Sequence, residues 1–183
     1  MADFDQALKV VLVHEGGFVD DPDDPGGITD RGISLRFLKD HDIDIDHDGD
    51  VDADDVRGLK DEDVARLYRQ FFWNLVHGDD FANQEMATKM FDMAVNMGPL
   101  RAIHIAQESA GIAADGLFGP QTFKTLNVDD ATALLTSICS SQAAFYRGIA
   151  AARPKSQKFL PGWLVRSACT LSTPCKTCRA RLK

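Results

Sequence analysis

No histidine lies beyond His104, and only four cysteines, at 139, 169, 175 and 178, occur in the 183 residues. So few thiols do not make the disulfide framework of a stapled secreted domain. Cys175-x-x-Cys178 has the spacing of half a zinc site, but the nearby sequence lacks the other half: Cys169 is the one further thiol close by, and every histidine is far upstream. Residues 169–183 are therefore expected to be an exposed, reduced and flexible tail. Long apolar runs are also missing. The stretch Val10 to Val13 falls far short of the roughly 18 to 20 residues that span a bilayer, so no integral membrane segment is expected. The beginning, Met1-Ala2-Asp3-Phe4-Asp5, is acidic where a secretory signal starts basic. The expectation is a chain made in the cytoplasm that reaches any external substrate only after release by another agent.

Acid is absent from residues 131–183, which carry nine Lys and Arg, whereas residues 20–55 are crowded with Asp against only Arg31, Arg36 and Lys39. The net charge of -8 hides this asymmetry. The acidic block suggests cation binding, and the basic half suggests an anionic surface such as a cell envelope. Nucleic acid is not expected as a partner, because the basic residues are dispersed and no recognition motif accompanies them. With 44% hydrophobic residues the chain can bury one real core, and a single monomeric body is expected.

Asp3 or Asp5 can cap a first helix whose Ala7, Leu8, Val11 and Leu12 recur at helical spacing and which stops at Gly16-Gly17. Glu15 then sits at a helix end beside a chain reversal. Residues 16–32, rich in Gly, Asp and Pro, read as a turn segment with an irregular hairpin. Ser34 caps a short helix to Lys39, and Asp61-Glu62-Asp63 opens another with Val64, Leu67, Tyr68, Phe71 and Phe72 on one face. Further helices are expected over 84–97, 99–110, 120–126, 129–152 and 156–168. The fold class is mainly α, a helical bundle with a Gly/Asp-rich turn region and little strand.

Between the second and third of these helices, residues 44–55 match the twelve-residue calcium loop of an EF-hand. Asp44, Asp46, Asp48, Asp52 and Asp55 fall at positions 1, 3, 5, 9 and 12, Gly49 supplies the turn at position 6, and Asp50 offers its carbonyl at 7. Five acids so close together repel unless a cation offsets them. Asp55 replaces the usual Glu and reaches less far. A structural Ca2+ is expected, with no cofactor needed for chemistry.

Glycoside hydrolysis needs a carboxylic acid that can donate a proton and a second group to handle water or the developing cation. The negative end of a helix dipole disfavours a carboxylate, which suits Glu15 to the acid role. Asp24 and Thr29 follow in a polar turn as candidate partners, with Asp20, Asp21 and Asp23 as alternatives to Asp24. The order Glu-Gly-Gly-aromatic, Asp-Pro-Gly-Gly-x-Thr and Gly-Ile, carried by residues 15–33, resembles the signature of glycoside hydrolase family 108, which comprises phage endolysins and related lysozyme-like proteins. Tyr68-Arg69-Gln70-Phe71-Phe72-Trp73 is similar to a further segment of that family. The resemblance implies a lysozyme-like muramidase that cleaves between N-acetylmuramic acid and N-acetylglucosamine, with Glu15 catalytic and bacterial peptidoglycan as partner. It divides the chain into a catalytic lobe, 1–85, with the calcium loop, and a helical lobe, 86–168, packed on it.

In the second half, Asp115-Gly116-x-x-Gly119-Pro120-x-Thr122 resembles the turn of predicted peptidoglycan-binding modules, although a tight turn and a helix start explain it equally well. Asp92 and Asn96, four residues apart on one helix, and Trp73 are candidate substrate contacts. Trp163 is a further candidate sugar platform. Two rival functions stay open: a non-catalytic peptidoglycan-binding or secretion-accessory protein, and a stem-peptide amidase or peptidase. The latter normally wants zinc or a Cys-His pair, and the five histidines show no recognisable ligand set in the sequence.

Overall fold

The computed structural model describes residues 1–20, 27–128 and 130–181. Helix α1, Phe4–Glu15, is capped by the Asp3 side chain, which accepts the Gln6 amide at 2.9 Å, and ends at Gly16 with φ 83°. A two-stranded hairpin follows, β1 (Thr29–Asp30) and β2 (Ile33–Ser34), with Val19 bridged to Thr29. Its two-residue turn, Arg31-Gly32, has positive φ at both positions (47° and 82°), the geometry whose twist matches that of the strands. The hairpin thus lies at the far end of the Gly/Asp-rich segment.

Ser34 caps α2 (Leu35–Asp40), the acidic loop leads into α3 (Ala53–Gly58), and α4 (Asp61–Tyr68) continues through a wide π turn over Arg69–Trp73. Then come α5 (Gln84–Met97), α6 (Pro99–Ser109), α7 (Pro120–Leu126), α8 (Thr132–Ala152), α9 (Leu160–Ser167) and α10 (Lys176–Arg181). Among the described residues no helix is long and apolar enough to cross a membrane.

Helix α5 is the axis of the molecule. Every residue from Met86 to Ala94 is buried, including Lys89 and Asp92, so this helix has no solvent face and needs neighbours all round. Helix α1 packs on one side and α6 on another. Phe4 and Phe91 each meet Trp73 edge-on, at 5.5 and 5.4 Å, and lie tilted against each other at 5.8 Å, and one apolar cluster runs from Phe4 through α5 to Ile138 in α8. The divide expected at residue 85 falls in the first turn of α5, and the packing does not break there.

The C-terminal segment corrects the expectation of a flexible tail. Cys169 and Cys178 are buried against Val10, with Val13, Leu171 and Cys175 around them, and α10 lies on α1. The physical reason is a second apolar edge on α1, Val10 and Val13, in addition to the face that enters the core.

The Asp115–Thr122 turn also has a packing explanation. The buried Gln107 side chain donates to Asp115 Oδ1 (2.8 Å), Leu117 O (3.0 Å) and Thr122 Oγ1 (2.8 Å), and accepts the Gly116 amide at 2.8 Å. Gly116 has φ 74°, and a Cβ there would lie 2.6 Å from Leu100 Cδ1.

Candidate active site

Glu15 is set by the last turn of α1, and the hairpin comes up beside it. A Cβ on Gly32 would lie 3.0 Å from Glu15 Oε2 and 3.1 Å from its Cγ, so only glycine lets the turn approach this closely. The Tyr68 hydroxyl donates to Arg31 O at 2.8 Å and holds the turn in place. Burial first, and then the neighbouring Glu15 carboxylate, push the Tyr68 hydroxyl far above its ordinary range, so it remains a neutral donor.

Arg166, on α9, reaches across the molecule to this point. Its Nη1 lies 2.7 Å from Glu15 Oε1, a close contact poorly aligned for a hydrogen bond and therefore held by charge. The same guanidinium grips Asp92, with Nη2 2.9 Å from Oδ1 and Nε 3.1 and 3.2 Å from the two oxygens. His14 Nδ1 lies 2.8 Å from Asp92 Oδ1. Burial, the largest single influence, would raise the Asp92 carboxyl, but Arg166 and His14 outweigh it and hold it well below the usual carboxylate range. Arg166 likewise stays charged, because Asp92 and Glu15 overcome its own desolvation. Beneath it the buried Lys89 ammonium donates to Ser167 O at 2.7 Å and, at 3.4 Å, to Arg166 O and Cys169 O, capping the carbonyl end of α9.

Glu15 and Arg166 open onto a cleft of about 1030 Å3. Its walls include Asn96, Lys158, Phe159 and Trp163, which come from both halves of the chain. Trp163 stacks on Tyr146 at 5.2 Å and Phe159 is half exposed, so aromatic side chains share the cleft lining with the Glu15 carboxylate.

Residues 8–98 match the family described as Glycosyl hydrolase 108, and residues 101–168 match the family described as Predicted Peptidoglycan domain. The chain belongs to glycoside hydrolase family 108. Among solved structures, this family 108 chain is similar to one titled "Structure of Brucella abortus SagA", with 28% identity, a TM-score of 0.69, and coverage of 90% of this chain and 92% of that one. No curated protein matches. Family 108 membership, with the second domain behind it, makes the protein a lysozyme-like glycoside hydrolase directed at peptidoglycan.

The family 108 signature residues do not all behave as the sequence suggested. Glu15 lies on the cleft. Thr29 is half-buried at the start of β1, its hydroxyl donating to Gly27 O at 3.2 Å. Asp24, Asp21 and Asp23 lie outside the described residues. Asp20 is half exposed and pairs with Arg57 Nη2 at 3.2 Å. Two of the expected substrate contacts are corrected. Trp73 is fully buried, its indole donating to Asp79 Oδ1 at 2.9 Å, because the π turn directs it into the core and Gly78 leaves room for it. Asp92 is 2% exposed and both its oxygens are taken, so it anchors the site from behind. Asn96 does line the cleft, where its Oδ1 accepts the Tyr146 hydroxyl at 2.6 Å.

The acidic loop gathers Asp44, Asp46 and Asp48, whose oxygens lie within 4.8 Å of one another. Asp44 accepts the Gly49 amide at 3.0 Å, with Gly49 at φ 103°. Repulsion from Asp48, then from Asp52, raises the Asp50 carboxyl. Asp52 caps α3, and Asp55, nearly fully buried, accepts the amides of Ile45 (2.6 Å) and Asp52 (2.7 Å), stitching the two ends of the loop together.

Sequence reasoning missed Arg166. The signal was faint: a single Arg at the end of an apolar helix, whose buried partner Asp92 lies 74 positions away.

Proposed function

We propose that the protein is an endolysin-type muramidase that hydrolyses the β-1,4 bond between N-acetylmuramic acid and N-acetylglucosamine, with Glu15 as general acid. The observation that carries this reading is that Glu15 lines a cleft whose walls also include Asn96, Phe159 and Trp163, from both family segments. Glu15 protonates the glycosidic oxygen as the bond breaks, and Arg166 offsets the charge left on the carboxylate. A second carboxylate from the turn, Asp24 or its neighbours, stabilises the oxocarbenium-like centre or activates water, and Thr29 orients that water. Phe159 and Trp163 stack on sugar faces. The protein acts on the wall after release, in host cell lysis.

Calcium fits the acidic loop as a structural ion. Asp44, Asp46, Asp48, Asp52 and Asp55 would supply side-chain oxygens and Asp50 its carbonyl, neutralising mutual repulsion in the segment that joins α2 to α3.

The test is digestion of purified sacculi by the full chain and by Glu15→Gln, with mass spectrometry of the released fragments. The expected result is new reducing-end N-acetylmuramic acid from the wild type and none from the variant, with its circular dichroism unchanged. Equal release by the variant, or new amino termini in place of reducing ends, would refute the assignment. One observation favours the non-catalytic alternative: Arg166 already pairs with Glu15. Sacculus binding without any fragment release would support that reading.

A further inference from the structure

The Cys-x-x-Cys pair is completed by Cys169, close by in sequence, and by His14 from the other end of the chain. His14 Nε2, Cys169 Sγ, Cys175 Sγ and Cys178 Sγ all lie within 4.8 Å of one another. His14 Nε2 is 3.2 Å from Cys178 Sγ and 4.0 Å from Cys175 Sγ, and Cys169 Sγ is 3.4 Å from Cys178 Sγ. A tetrahedral centre with metal–sulfur bonds of about 2.3 Å and metal–nitrogen bonds of about 2.0–2.1 Å has edges of roughly 3.5–3.8 Å, so the four donors stand close to the corners such an ion needs. A disulfide, at about 2.05 Å, does not describe the Cys169–Cys178 separation of 3.4 Å.

We propose that His14, Cys169, Cys175 and Cys178 bind one structural zinc ion that fastens the C-terminal segment to α1 beside Glu15. Three independent features support it besides the spacing. The Cys175 amide donates to Cys169 Sγ at 3.2 Å and the Cys178 amide to Cys175 Sγ at 3.5 Å, interactions that favour thiolates. His14 holds its other ring nitrogen 2.8 Å from the buried Asp92 carboxylate, which orients the ring so that Nε2 turns its lone pair to the sulfurs. Finally, Cys169 and Cys178 are buried with Val10, Val13 and Leu171 around them, so the four protein donors leave no open position and the ion has a structural role. Three soft thiolates with an imidazole select zinc over the hard cation suited to the acidic loop. Zinc replaces a thiol proton at each sulfur on binding, and no redox step is involved. The metal site stands on its own geometry and does not rest on the muramidase reading.

Full-length protein from zinc-supplemented cells is assayed for metal by plasma mass spectrometry, and a stripped sample is titrated with Co2+. The expected result is about one zinc per chain and the intense visible bands of a tetrahedral thiolate centre. Cys175→Ser and Cys178→Ser should lose the bound metal, while Cys139→Ser, outside the cluster, retains it. Three outcomes would overturn the proposal: wild-type protein without stoichiometric zinc, Co2+ giving only weak octahedral bands, or a disulfide among the three clustered cysteines in native protein. All are read without any lysis assay, so failure here is separable from failure of the muramidase assignment.

Discussion

Removing Arg166 tests how the two halves of the chain are joined. Arg166 is 8% exposed and Asp92 2% exposed, with three guanidinium contacts at 2.9 to 3.2 Å between their side chains. Arg166→Met keeps much of the packed stem but leaves the Asp92 carboxylate buried with a single close partner, His14. Breaking one side of such a buried pair costs about 3–5 kcal/mol. For a chain of this size each kcal/mol moves the melting temperature by roughly 2–4 °C, so a drop of about 6–20 °C is expected. Asp92→Asn should cost less, because Arg166 keeps Glu15 as a counter-charge. The double variant removes both charges, and its loss should fall short of the sum of the single losses by about 1–3 kcal/mol. Differential scanning calorimetry or urea titration of the four proteins reads this directly. A loss below about 1 kcal/mol for Arg166→Met, or strict additivity in the double variant, would refute the account of a buried ion pair as the anchor.

Gly32→Ala places a methyl against Glu15 at positive φ and should cost about 1–2 kcal/mol from backbone strain alone, with loss of fragment release exceeding what the lower stability explains; a variant with wild-type melting and lysis would contradict the close approach. Gln107→Leu removes the hub of the Asp115–Thr122 turn and should destabilise by about 1–3 kcal/mol while glycan cleavage below the melting point persists. If cleavage vanished with stability intact, the turn would be a binding element. Adding Ca2+ to metal-stripped protein should raise the melting temperature, and the Asp44→Asn, Asp48→Asn double variant should abolish that rise while its response to Zn2+ is unchanged. A calcium-independent melt would remove the ion from the acidic loop.

Much of this fold was legible where the chain repeats a local rule. The Asp3 cap, the Gly16 stop, the Ser34 cap and the apolar spacing of α1, α4 and α5 are short-range signals, and the helices form where those signals place them. Glu15 could be singled out because its signature is contiguous. The residues that complete its environment could not, since each depends on a long-range meeting: Arg166 with Asp92, Lys89 with the end of α9, His14 with Cys178. The tail was misread for the same reason. Its composition is polar and basic, and only the spare apolar edge of α1 at Val10 and Val13 indicated a place for it to pack. Trp73 shows the opposite failure, because a large aromatic at a helix end belongs more often to the core than to a sugar platform, and here the π turn turns it inward.

The pairing of Glu15 with Arg166 has a consequence for how the protein comes into being. The two residues are separated by 151 positions, 166 minus 15, in a chain made from its amino end. Glu15 emerges from the ribosome well before its counter-charge and the aromatic wall of its cleft, which lie in the segment from Lys158 to Arg166. A nascent product that stops between the two therefore carries the signature glutamate without the environment around it, and the site is finished only once α9 has been made.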